Sequence, residues 1–117
     1  MAGRLVARAA ALPGGLAWLI LSVDGRPVAD LSLRTCETCG IGVIEHVRVD
    51  PPWRRRGLAC RLLTAALAGR ESLRWSTTEV ADSAAARGFW AGPAAVGVET
   101  DAVCRCAHMA EADSRSP

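Results

Sequence analysis

The stretch Val47-Arg-Val-Asp-Pro-Pro-Trp-Arg-Arg-Arg-Gly-Leu-Ala-Cys-Arg-Leu-Leu63 carries a strand through a turn into an amphipathic helix that opens on a glycine. Residues 43–49 alternate as a strand, and Asp50, Pro51 and Pro52 end it, because proline has no N–H to donate to a ladder. From Gly57 onward Leu58, Leu62, Leu63, Ala66 and Leu67 fall on one helical face, and Gly69 stands where such a helix stops. The first turn of a helix presents backbone N–H groups without intrahelical partners, at the positive end of the helix dipole. Arg54, Arg55 and Arg56 stand directly before that turn, so the junction reads as a seat for an anionic ligand, a phosphate above all.

Upstream, residues 4–10 and 16–23 read as strands, and Asp24-Gly25 supplies the tight turn that sends residues 28–34 back antiparallel. A longer turn over residues 35–42 leads into the strand over 43–49. Downstream, residues 73–78 read as a further strand, so strand, helix and strand make a parallel unit with a right-handed crossover. Residues 83–90 read as a short second helix, residues 102–109 as a closing strand, and residues 110–117 as a flexible tail. The expected fold is mixed α/β, in the α+β sense: one domain over residues 1–109 with a mainly antiparallel central sheet.

At 117 residues the chain suffices for one core and not for a separate substrate domain. Lys, Asn and Tyr are absent while Ala and Arg abound, a GC-rich codon bias that points to a bacterial genome. The net charge of +2 excludes the broad positive field of a nucleic-acid binder and leaves residues 54–56 as a local patch. No run approaches the ~18 consecutive apolar residues of a membrane-spanning helix. Pro13-Gly14-Gly15 interrupts an N-terminal segment that superficially mimics a signal peptide. The expectation is a cytoplasmic protein with no nucleic-acid or membrane partner.

Arg54-x-x-Gly57-x-Ala59, following Val47-x-Val49-Asp50-Pro51, resembles the acyl-CoA signature of the GNAT-type N-acetyltransferases, Gln/Arg-x-x-Gly-x-Gly/Ala. Ser83-Ala-Ala-Ala86-Arg-Gly-Phe89-Trp90 resembles the family's Asn-x-x-Ala-x-x-Phe-Tyr helix, and the two boxes stand in the expected order. The resemblance implies acetyl-CoA as acyl donor, direct attack by a primary amine in a ternary complex, and no metal. It implies that Arg54 and the backbone of Arg55, Arg56, Gly57, Leu58, Ala59 and Cys60 hold the cofactor pyrophosphate. Val47, Arg48 and Val49 would pair with the pantetheine arm like an added strand, with Val47 or a nearby N–H polarising the acetyl carbonyl. Ser83, Ala86 and Trp90 would lie beside the cofactor.

Two positions depart from the family pattern. Ser83 replaces an asparagine, and Trp90 replaces the tyrosine with which many members protonate the leaving thiolate; an indole N–H cannot titrate as an acid. The helices that members place between their first and second strands are missing or much reduced, since only residues 11–15 separate the two strands. That implies an open acceptor site, completion by a second subunit, or a module that binds CoA without serving a defined amine. The acceptor, small molecule or protein, stays open.

Glu45 is the candidate base, because alternation puts it on the face of Val43, Val47 and Val49. A cross-strand ion pair with an arginine such as Arg34 is the plainer reading of the same residue. Glu79 is the reserve, one residue out of phase with Thr78, where the family often has a glutamate. His46 alternates onto the face opposite Glu45, and His108 sits near the end of the closing strand. The 5 cysteines are Cys36-x-x-Cys39, Cys60 and Cys104-x-Cys106. Free thiols without metal are the expectation; a zinc site drawing on Cys36, Cys39 and the Cys104, Cys106, His108 group is the alternative. An exposed edge strand near the C-terminus offers a contact for a homodimer.

Overall fold

The computed structural model describes residues 3–78, 80–100 and 102–115. Strands β1 (Gly3–Arg8), β2 (Ala17–Val23), β3 (Arg26–Cys36) and β4 (Ile41–Val49) form an antiparallel meander. Asp24 and Gly25 turn β2 into β3 with φ of 52° and 77°, the positive values that a tight hairpin turn demands. Helix α1 (Leu58–Leu67) then crosses to β5 (Arg74–Thr77), which lies parallel to β4. Helix α2 (Ala84–Trp90), strand β6 (Val98–Glu99) and helix α3 (Ala107–Arg115) complete the chain. The sheet runs in sequential order from β1 to β6, and is mainly antiparallel, as expected. Residues 9–16 join β1 to β2 without a helix.

Each face of the sheet has its own apolar layer. On one, Leu21, Leu31, Leu33 and Ile44 meet Leu62, Leu63 and Ala66 of α1, with Phe89 and Trp90 of α2 packed beside them. On the other, Cys36, Ile41 and Val43 meet Met109 of α3. No helix among the described residues is long and apolar enough to cross a membrane.

The strands over residues 4–49 and the two helices after them match their expected places to within a few residues. Residues 102–109 do not form a closing strand. The last strand is the two-residue β6, and the chain is helical from Ala107 to Arg115. The cause is packing: Met109 and Ala112, three apart on one helical face, are 0% and 3% exposed, Met109 against Cys36, Ile41 and Val43 of the sheet. Alternation of small residues over 102–108 resembles a strand only while that burial is unknown. The C-terminal edge strand, the expected contact for a homodimer, is thus β6.

A second difference lies inside β4. Ser32 pairs with His46 and Leu33 with Ile44, so Glu45 is an extra residue, a β-bulge. One extra residue reverses the side-chain alternation. Glu45 therefore keeps Val43's face, toward α3, while Val47 and Val49 pack on the α1 side, contrary to the expectation that all four share a face.

Gly42 lies under Trp75 across the β4–β5 pair, where an added Cβ would stand 2.7 Å from the indole ring. Gly42→Ala should therefore lose about 1–3 kcal/mol of stability through overpacking. Gly88→Ala, in α2 with nothing near its Cβ, should gain about 0.5–1 kcal/mol by stiffening the helix. Urea denaturation of the two single variants checks both signs.

Candidate active site

Pairing between β4 and β5 runs from Ile41 with Arg74 to Ile44 with Thr77. Its last rung is Thr78 N–H donating to Ile44 O at 3.1 Å, and Thr78 Oγ1 donates to Glu45 O at 2.8 Å. Past the bulge β4 continues, among the described residues, on β3 alone. Asp50 N–H donates to Val28 O on that side at 2.8 Å. By alternation the backbone amides of His46 and Arg48 also face β3, and those of Val47 and Val49 face the open edge. Arg54 Nε donates to Val49 O at 3.2 Å.

A cleft of about 660 Å³ occupies the gap, within the roughly 300–1,000 Å³ of small-molecule sites. Residues 46–49 of β4 form one wall, and Ala85, Ala86, Phe89 and Trp90 of α2 the other. Trp53, Arg54 and Arg55 from the turn and Gly57, Leu58, Ala59 and Cys60 at the head of α1 close one end. Gly57 caps α1 with φ 75°, and an added Cβ there would meet nothing within 4 Å. The first rung of α1 is Arg61 N–H to Gly57 O at 3.0 Å, so the N–H groups of Leu58, Ala59 and Cys60 precede the helical ladder. An anion in the cleft would meet those donors, the dipole's positive end and two exposed arginines together.

Of the residues expected around a cofactor, all line this cleft except Arg56 and Ser83. The Arg56 guanidinium sits 4.8 Å over the Trp53 ring and lines a separate pocket with Gly3 and Arg61. Ser83 Oγ accepts from Ala86 N–H at 3.1 Å and so caps α2. Arg48 lines the cleft with its charge already matched: Asp30 Oδ2 accepts from Nη2 at 2.9 Å and from Nε at 3.1 Å, and Asp50 takes Nη1. Those bonds, Asp30's foremost, push the guanidinium pKa further up. His46, Trp53, Ala85 and Phe89 also line the cleft, beyond the residues expected around a cofactor, though Phe89 belongs to the second motif. For His46 no sequence signal points to the cleft: simple alternation separates it from Glu45, and the bulge that removes this separation is not readable from the pattern.

Glu45 is not on the cleft wall. Its carboxylate, on the α3 side, accepts from Arg34 Nε at 3.0 Å and from Arg105 Nη2 at 2.6 Å. Arg34, 7% exposed, also reaches Asp113 Oδ1 at 2.6 Å and Gly14 O at 3.1 Å. The ion pair with Arg34 anticipated from the sequence is thus present, enlarged to four side chains. Glu79 lies outside the described residues.

On the same α3 side Cys36, Cys39, Cys106 and His108 come together, while Cys60 is exposed on α1. A hydrogen bond with Cys36, above other causes, pushes the Cys39 thiol up to about 11. Burial pushes Cys106 up, but bonds from Met109 N–H and from the His108 and Cys36 side chains outweigh it and bring that thiol to about 7.

The sequence model of the Acetyltransferase (GNAT) family matches residues 4–92. The chain belongs to this family. Acyl transfer is the chemistry that names this family, and the GNAT fold accounts for the mixed sheet with its parallel strand-helix-strand unit. Among solved structures, a ribosomal-protein-alanine N-acetyltransferase from Brucella melitensis biovar Abortus 2308 aligns with a TM-score of 0.54 at 18% identity, over 78% of this chain and 69% of that one. An aminoglycoside acetyltransferase from an uncultured soil metagenomic sample aligns in its trehalose complex at 0.42 and 18% identity, over 48% of this chain and 40% of that one. In its sisomicin complex it aligns at 0.47 and 20% identity, over 58% and 48%. This GNAT chain thus spans less than half the length of that enzyme. At these identities the likeness is one of fold, and the Brucella structure carries it. No curated protein sequence matches the chain.

Replacing Glu45 by Gln removes the charge that two guanidiniums share, one of them buried. Glu45→Gln should lose about 1–3 kcal/mol in urea denaturation. A variant as stable as the wild type would deny the cluster its structural role.

Proposed function

We propose that this GNAT protein is an N-acetyltransferase that moves an acetyl group from acetyl-CoA to a primary amine by direct attack in a ternary complex. The observation that carries this reading is one cleft in which a β4 edge, paired with no second strand among the described residues, meets the N-terminus of α1. Acetyl-CoA would supply the activated thioester and the phosphates that anchor it. The N–H groups of Leu58, Ala59 and Cys60 would hold the pyrophosphate, with Arg54 and Arg55 balancing its charge. Val47 and Val49 would offer their backbone N–H and C=O groups to the pantetheine amides as an added strand does. Donation from Val47 N–H would also stabilise negative charge developing on the thioester oxygen.

His46 is the titratable imidazole on the wall, and a ring nitrogen would accept the proton of the attacking amine. Glu45 would act from behind, holding the bulge through Arg34 and Arg105. Trp90 shields the cleft in the position of the family's usual tyrosine, which leaves thiolate protonation to water. The acceptor enters an open site, because no helix separates β1 from β2. That same bare link favours a second reading, a CoA-binding module with weak or no turnover.

Calorimetry with acetyl-CoA on three proteins tests the site. Wild type and Gly57→Ala, which shares the strain of a positive φ without charge, should bind saturably. Gly57→Glu should weaken binding at least about 100-fold, a carboxylate at that spot opposing the phosphates. No binding by the wild type would sink the proposal, and binding without acetylation across a panel of amines would select the second reading. Where turnover is found, His46→Ala should lower kcat about 10²- to 10⁴-fold with acetyl-CoA affinity unchanged. An unaltered kcat would remove His46 from the mechanism.

A further inference from the structure

Three thiols and an imidazole converge on the sheet face opposite the cleft. Cys36 ends β3, and Cys39 sits in the following turn, where Gly40 adopts a φ of 70°. Cys106 stands immediately before α3 and His108 lies in its first turn. Cys36 Sγ and Cys39 Sγ each lie 3.5 Å from His108 Nδ1, and Cys106 Sγ lies 4.0 Å from it. All four ligand atoms fall within 4.8 Å of one another. A tetrahedral zinc ion with Zn–S of about 2.3 Å and Zn–N of about 2.0–2.1 Å spaces its ligands by roughly 3.5–3.8 Å. The cluster needs only small shifts to close on such an ion.

We propose that Cys36, Cys39, Cys106 and His108 form a structural zinc site that clamps α3 to the β3–β4 turn. Three sulfurs and one imidazole nitrogen in tetrahedral array are a zinc donor set. Four protein ligands close the coordination shell, which marks a structural rather than a catalytic metal. The clamp also meets a need of the fold. Helix α3 has 9 residues and buries only Met109 and Ala112, and a helix that short is marginal without tertiary support. Its Asp113 and the preceding Arg105 hold the Arg34–Glu45 pair, so the metal would brace the back of the β4 bulge. Binding converts the three thiols to thiolates and releases their protons to solvent. Cys104, whose N–H donates to Ser76 Oγ at 3.0 Å, and Cys60 on α1 stand outside the set.

The test uses the full chain, made in zinc-supplemented medium and purified without a metal-affinity tag. Elemental mass spectrometry should find stoichiometric zinc, and the cobalt-substituted protein should show the visible bands of a tetrahedral thiolate complex. Cys39→Ser alters an exposed ligand and should lose the metal, whereas Cys104→Ser and Cys60→Ser should keep it. Stripping wild type with a chelator should lower Tm, and zinc but not magnesium should restore it, with no such response in Cys39→Ser. A wild type whose Tm ignores both chelator and zinc would overturn the proposal. So would metal retained by Cys39→Ser, or a Cys36–Cys39 disulfide as the state of the purified chain.

Discussion

Glu45 has no ladder partner on β3, because Ser32 takes His46 and Leu33 takes Ile44, and this one extra residue reverses the alternation halfway along β4. Before it, β4 bonds to strands on both sides; after it, among the described residues, β4 pairs with β3 alone and leaves an edge. The same reversal turns Val47 and Val49 toward the α1 layer and puts the open edge beside the helix N-terminus. The cleft is the space that this divergence leaves. A bulge costs a rung of the ladder and persists where the surroundings specify it. Here Thr78 Oγ1 bonds to Glu45 O, and two arginines hold the Glu45 carboxylate.

Those arginines connect the bulge to the far side of the sheet. Arg34 is nearly buried on β3, yet Gly14, Glu45 and Asp113 meet its guanidinium, so the cost of burying the charge is met by partners from three segments. Helix α3 supplies Asp113 and covers a face that the short β1–β2 link leaves bare. Gly14 lies so close to the His108 backbone that a Cβ would stand 3.0 Å from it. The C-terminal helix and the N-terminal link are therefore fitted to each other, with the cysteine cluster at the near end of that contact.

Much of this was legible because its causes are local. Asp24-Gly25 announces a hairpin, Pro51-Pro52 ends a strand, Gly57 and Gly69 bracket α1, and Ser83 caps α2, each through a φ preference or a hydrogen bond reaching no further than a turn. The walls of the cleft came with them, since residues 47–60 and 83–90 carry those walls. The bulge left a fainter trace, the apolar pair Val43-Ile44 and then the polar pair Glu45-His46, which breaks strict alternation without saying which residue is extra. Arg56 could not be told from Arg54 and Arg55, because the ring that draws it away, Trp53, does so only through the geometry of the turn. Residues 102–109 alternate like a strand, and only the burial of Met109 and Ala112 makes the segment from Ala107 to Arg115 a helix.

The sequence by itself determined the antiparallel meander, the strand-helix-strand unit and the glycine that opens α1. Each rests on patterns a few residues long, and contacts between neighbours in the chain enforce them. The tertiary structure alone decided the phase of β4 past Glu45, the assignment of Glu45 to an ion-pair cluster behind the cleft, and the meeting of Cys36 and Cys39 with Cys106 and His108. Those outcomes depend on which segments, up to 79 residues apart, come to lie against one another. Burial and charge pairing between distant segments set that choice, and neither is written in any one stretch of the chain.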